Sequence, residues 1–295
     1  LALGMWPETA TSNEDSWQAS LDKVEREGLS VDRKSFHALL WLQYAYLQMG
    51  RFDDARRLLT IMEDDHRESS TKGARNHLAQ MRAHYLVETK RWSEEIDAPD
   101  LDGLDLTPVA HVLLMDGMAA LERGDIEAAE SHHAELRKRR QDTIAKATEM
   151  QPDDGYAPSV ELRTLEGQIM ELQLSGLIHL AREQTEAGLE QLAQAAELEA
   201  TAPFGFGPPV PTKPALELYG EALLELGRAP EAHQQLQRSL ARNPRRTLSL
   251  DALARAAEAA GDAELLTPTA AMLHEAAGSA PASSAPSAQV CHQSK

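Results

Sequence analysis

Eleven histidines, 47 acidic residues and a single cysteine are the groups in this 295-residue chain that could do chemistry. Their spacing decides what chemistry is open to them. A zinc site wants three or four N, S or O ligands at roughly 2.0–2.3 Å. His77 and His84 are seven residues apart on one helix face, so at about 1.5 Å rise per residue they stand roughly 10 Å apart. His132 and His133 are neighbours that point to different faces. The motif His-Glu-x-x-His is absent, and no metal ligand set is assigned. Nucleophilic catalysis fares no better. Cys291 lies in a stretch rich in Ala, Ser and Pro, with nothing fixed beside it to lower its pKa. There is no Gly-x-Ser-x-Gly, no Walker loop and no dinucleotide fingerprint. With so many carboxylates a chance pair is expected, and most read as solvated helix faces such as Asp53 and Asp54 with Arg57 one turn on. The expectation is therefore a protein that is not an enzyme and that carries no cofactor.

The elements that must position these groups are helical. Ala, Leu, Glu, Gln and Arg dominate, and they are strong helix formers. Aromatics are only 4% of the chain, and Val and Ile are too sparse for a sheet core. No run of about 18 apolar residues could cross a bilayer as a helix. The formal net charge of −18 argues against a nucleic-acid or anionic-membrane partner, both of which want basic surface. The one basic run, Arg137-Lys138-Arg139-Arg140, is flanked by Glu135 and Asp142 and reads as a solvated helix face. The lone cysteine excludes an internal disulfide and leaves the compartment open, with the cytoplasm as default.

Helix punctuation then reveals a repeat. From Lys213, a first helix carries Leu216, Tyr219 and Leu223 at helical spacing and is ended by Gly227. Pro230 sits in the first turn of a second helix with Ala232, Leu236 and Leu240, which Asn243-Pro244 stops. Gly261 repeats Gly227 after 34 residues, with Leu250, Leu253 and Ala257 on the intervening helix. Two further units match: Leu39, Leu42 and Tyr46 before Gly50, Phe52 and Ala55; and Leu113, Gly117 and Ala120 before Gly124, Ile126 and Ala129. Degenerate units cover about 73–89, with Trp92 near the turn, and about 159–182, followed by Ala187, Leu189 and Leu192.

This pattern resembles the tetratricopeptide repeat, a 34-residue helix–turn–helix. Gly220 takes the small-residue slot midway along its helix A, Gly227 the turn, Ala232 the small slot of helix B, and Pro244 the closing proline. The segments Gly4-Met-Trp-Pro-Glu-Thr, Asn13-Glu-Asp-Ser-Trp17, His37 to Gly50 and the Phe204-Gly-Phe206 loop further resemble a group of bacterial tetratricopeptide-repeat proteins with no assigned reaction. The resemblance covers most of 1–275. It implies an all-α superhelix of stacked hairpins over 1–277 and a longer parent with more repeats upstream. In such superhelices each repeat stacks on its neighbours to bury its apolar stripe, and helix A residues line a concave groove.

Placing this sequence on the family's contact slots gives the groove candidates that the resemblance implies. They are His37, His77 and His111 at one slot, Tyr44 and His84 at another, and Gln48, Glu88 and Glu122 at a third. Toward the C-terminus the slots hold Glu217, Glu221 and Glu225. The family's carboxylate clamp of Lys, Asn and Arg is missing, so its chaperone-tail specificity is not carried over. An acidic groove would prefer a neutral or basic protein segment. The expected function is a protein-interaction scaffold. The alternatives are an assembly module of a longer helical-repeat protein and a metal-dependent role for the groove histidines. Tyr46 is expected in the core, Trp41 against a neighbouring helix, and Tyr44 in contact with the partner.

Irregular loops are expected at 97–107 and 202–214. The phenylalanines of the second, Phe204 and Phe206, are expected to seal a seam between repeats, since exposed Phe is disfavoured. The stretch 278–295 is expected to be a disordered tail, because it cannot offset an ordering entropy of roughly 1–2 kcal/mol per residue. The opening Leu1-Ala-Leu-Gly4 reads as the last turn of a helix A, followed by a helix B to about Gly28. The expectation is a piece of a longer solenoid, with the apolar side of that first helix exposed or covered by a partner.

Overall fold

The computed structural model describes residues 1, 3–149, 157–261, 269, 271–273 and 275. The stretch 278–295 expected as a tail, with Cys291, lies outside these residues. The described residues are all-helical and contain no strand. In order they form α1 (Trp6–Glu27), α2 (Phe36–Gln48), α3 (Phe52–Glu68), α4 (Lys72–Thr89), α5 (Leu106–Glu122), α6 (Ile126–Glu149), α7 (Ala157–Ala181), α8 (Thr185–Thr201), α9 (Ala215–Glu225), α10 (Ala229–Arg242) and α11 (Thr247–Ala260). A short 3₁₀ turn, Val31–Arg33, links α1 to α2.

Successive helices fold back on one another. Gly220 lies seven residues before the turn at Gly227, and a Cβ there would come within 2.7 Å of the Leu236 side chain, nine residues after it. That near-symmetric offset makes α9 and α10 antiparallel, and only a residue without a side chain lets them approach so closely. Gly176 plays the same part between α7 and α8, where its added Cβ would meet Leu192. At Gly117 the close neighbour is Leu174 of α7, the next inner helix, rather than α6. Gly227 itself has φ +75, the left-handed conformation that ends a helix most cheaply at glycine.

The packing has two layers. Helices α2, α4, α5, α7, α9 and α11 each pack on the next and form an inner row, while α3, α6, α8 and α10 lie behind it. The segment 90–105 after α4 holds only turns and irregular chain, so the irregular stretch expected over 97–107 begins earlier, directly after α4. Buried apolar residues run along the inner row in separate clusters, with Leu39 and Leu78 in one, Leu114 and Leu174 in a second and Leu223 in a third. Tyr46 is buried, and its hydroxyl donates to Glu14 at 2.5 Å.

Two expectations are corrected here. The inner side of α1 is not left open: Trp6, Ala10 and Trp17 are buried against the chain itself, and the large apolar side chains exposed nearby are Leu3 and Met5, just before the helix. Phe204 and Phe206 do not seal a seam. They are 50% and 76% exposed and rest edge-to-face on each other, ring centroids 6.1 Å apart. What the loop buries is its other end, Thr212 and Lys213, while Gly207 lies against the Trp41 indole. The loop's small and proline residues make the contact, and its aromatic rings face outward.

Candidate functional site

The inner row closes on itself. Asn243 ends α10, and the short link before α11 lies against the first two helices. There the Trp6 indole donates to the carbonyl of Arg245 at 3.1 Å. The backbone N–H of Thr247 donates to Gln48 Oε1 at 2.9 Å, and its hydroxyl donates to the Gln48 carbonyl at 2.8 Å. Gly4 is needed at this seam: it has φ +67, and a Cβ would lie 2.5 Å from the Pro244 carbonyl oxygen.

Arg246 is the centre of the closure. Its side chain is fully buried. Nε and Nη2 donate to the two oxygens of Glu217 at 2.7 and 3.1 Å, a bidentate fork of the kind guanidinium geometry favours. Nη1 donates to Glu88 Oε1 at 2.5 Å and to the Tyr44 hydroxyl at 2.9 Å. Ser249 also donates to Glu217. Lys213 extends the network, reaching Glu217 at 2.8 Å and Glu221 at 2.6 Å.

Burial sets the protonation of the cluster. It pushes the Tyr44 hydroxyl and the Glu88 carboxyl above their ordinary values, and in Glu88 the Arg246 charge only partly opposes it. Burial also pushes Glu217 upward, but Arg246 and Lys213 together outweigh it and leave the carboxyl below its ordinary range. His84 stands edge-on to Tyr44, ring centroids 5.0 Å apart. Burial, with His111 and Arg246 nearby, holds His84 well below its ordinary value, and burial brings His111 down to about 4. Both ring nitrogens of His111 and Nδ1 of His84 are buried with no hydrogen-bond partner among the described residues.

Six groove candidates therefore lie inside the molecule: Tyr44, Gln48, His84, Glu88, His111 and Glu217 are all buried. Four of them, Tyr44, Gln48, Glu88 and Glu217, bond directly to Arg246 or Thr247. The expected open trough is filled there by the chain's own segment. Tyr44 touches Arg246, Trp6 and His84 instead of presenting a free ring. His37 is exposed and stacks on Trp41 at 4.4 Å between centroids. His77 is half-buried, and its Nδ1 donates to the Gly73 carbonyl at 2.8 Å. Among the described residues no three His, Cys, Asp or Glu side chains gather as a metal ion would need.

The remaining three candidates share an open cleft. Glu122 of α5 and Glu221 and Glu225 of α9 edge a cleft of about 190 Å³ whose walls include Val87, Trp92, Met118, Leu177 and Leu180. Lys90 also lines it. Glu221 has its partner in Lys213. Glu122 and Glu225 are exposed.

Sequence reasoning missed Arg246, Lys213 and Trp6 as parts of one site. The available signal was indirect. Glu88 and Glu217 on inner helix slots want a cation, but the sequence offers several, Lys90 and Arg91 beside one and Lys213 beside the other, and does not single out Arg246. No spacing rule links residue 44 to residue 246. In the run Arg137–Arg140, Lys138 pairs with Asp142 and Arg139 with Glu135 on the same helix, while Arg140 pairs with Glu171 of α7. No described helix is long and apolar enough to cross a membrane. A scan of protein-family models and a search of curated proteins both returned no match to this chain.

Proposed function

We propose that the chain is a tetratricopeptide-type scaffold that binds a segment of another protein and performs no catalysis. The helix-turn-helix arithmetic of 34 residues and the close glycine crossing at Gly220 support the repeat reading. The observation that carries the binding reading is the cleft between α5 and α9: its walls include Trp92, Leu177 and Leu180, and the charged groups Glu122, Glu225 and Lys90 line it beside them. An extended or helical segment with an apolar stripe and a basic residue fits that chemistry, apolar contact giving affinity and charge giving register.

A peptide array tests it. The protein should select sequences in which Lys or Arg flanks apolar residues, and Glu122→Lys with Glu225→Lys should abolish that preference while leaving the fold intact. If the reversed variant selects the same peptides, the cleft is not the binding surface.

The assembly-module reading is favoured by one observation, the exposed Leu3 and Met5 beside α1, which offer apolar surface to further helices. It requires a longer version of the protein, with added upstream repeats, to melt at higher temperature than this chain; an unchanged melting temperature removes it.

A further inference from the structure

The groove's buried half is not merely filled; it is read. Three consecutive residues of the chain's own Arg245–Thr247 segment are recognised by side chains from elements far apart in sequence. Trp6 holds the Arg245 carbonyl, Tyr44, Glu88 and Glu217 hold the Arg246 guanidinium, and Gln48 holds both the backbone N–H and the hydroxyl of Thr247. This set of contacts has the components of a peptide-recognition site, with backbone bonds fixing register and one charged side chain in a matched pocket.

We propose that Arg245–Thr247 is a ligand supplied in cis, a latch that keeps this half of the inner face shut, and that the same receptor accepts an arginine-bearing segment of a partner when the latch leaves. Electrostatics fixes the occupant's chemistry. With Arg246 in place, the buried carboxylates of Glu88 and Glu217 are met by Arg246 and Lys213, and Lys213 is shared with Glu221. With Arg246 gone, two buried carboxylates and Glu221 are left to one lysine, and uncompensated buried charge is strongly unfavourable. The vacated receptor is relieved either by a cation or by protonation of Glu88, whose carboxyl burial already raises. Its shape selects arginine over lysine, because the carboxyl of Glu217 faces Nε and Nη2 as a fork while Glu88 and Tyr44 receive Nη1. A single ammonium cannot span those three acceptors at once in that planar arrangement.

The proposal deepens the scaffold reading, since it names the regulation of the same inner face, but its receptor shares no residue with the rim carboxylates Glu122 and Glu225. The experiment is therefore done in the Glu122→Lys, Glu225→Lys background, where the cleft cannot contribute. Into it goes Arg246→Ala, and the probes are acetyl-Pro-Arg-Arg-Thr-amide, its Lys-Lys counterpart, and guanidinium ion at millimolar concentration. Because a receptor held shut in cis is rarely free, the arginine peptide should bind Arg246→Ala roughly tenfold or more tightly than the protein with Arg246 intact. The lysine peptide should bind neither. If Arg246→Ala alone is unfolded, guanidinium or the arginine peptide should restore its helical circular dichroism. A folded Arg246→Ala protein that binds the arginine peptide no better than its parent overturns the latch. So does an unfolded one that neither probe restores, or equal binding of the two peptides.

Discussion

Replacing Arg246 by alanine strands Glu88 and Glu217 in the interior with only Lys213 beside them. Removing one partner of a buried ion pair typically costs about 3–5 kcal/mol, so the variant's urea midpoint should fall by a large fraction of a typical domain's stability. Tyr44→Phe removes one neutral partner of the same guanidinium and should cost about 1 kcal/mol. If Arg246→Ala melts like the parent, the network contributes nothing to folding. His111 gives a pH prediction. An unfolded histidine titrates near 6.5, and burial brings His111 to about 4. Between those values the unfolded chain binds more protons, so the contribution is intact above about pH 6.5 and is lost as pH falls toward 4. The loss is on the order of 3 kcal/mol from this residue. Glu199 works in the opposite sense, since burial raises its carboxyl to about 7, and so does Glu88. The comparison that isolates His111 is with His111→Leu. Between pH 7 and pH 4 the leucine variant should lose less stability than the parent, and parallel losses would show that His111 is solvated.

Element by element, the fold depends on places where helices approach too closely for a side chain. Gly220→Val drives a branched side chain into Leu236 of α10 and should destabilise by about 1–3 kcal/mol, read as a lowered melting temperature. A neutral result would mean that α9 and α10 are farther apart than described. These elements were legible in the sequence because their signals are local. Gly227 and Gly261 mark turns, Pro230 marks a first helical turn, and Asn243-Pro244 marks a stop. The irregular loop from Asp97 was legible, since Asp97-Ala-Pro-Asp interrupts any helical period, but the absence of a helix over 90–96 was not. The orientation of Phe204 and Phe206 was not legible. A composition argument says that phenylalanines bury, but a loop of glycines and prolines can make its contacts through Gly207 and leave the rings outside. The candidate site divides along the same line. Slot position named residues of both kinds, the buried Tyr44, Glu88 and Glu217 and the exposed His37, Glu122 and Glu225. What the buried ones meet was not legible, because the partner of Tyr44 lies 202 residues away.

At the scale of the whole molecule, the closure changes how the stack behaves. An open row of hairpins has stability that sums over neighbours and frays from its ends. Bonds joining Trp6 to Arg245 and Gln48 to Thr247 tie one end of this row to the other, so the ends should protect each other. Hydrogen exchange should show amides of α2 and α11 opening together, and independent fraying of α11 would argue against the tie. The most direct measurement is a distance. In a Cys291→Ser background, which removes the only cysteine, spin labels at the exposed positions Ser12 and Asp251 report the separation of α1 from α11. The closed inner row predicts one narrow distance population that broadens and lengthens when Arg246 is replaced by alanine. A broad distribution in the parent, or a narrow one indifferent to Arg246, would contradict it.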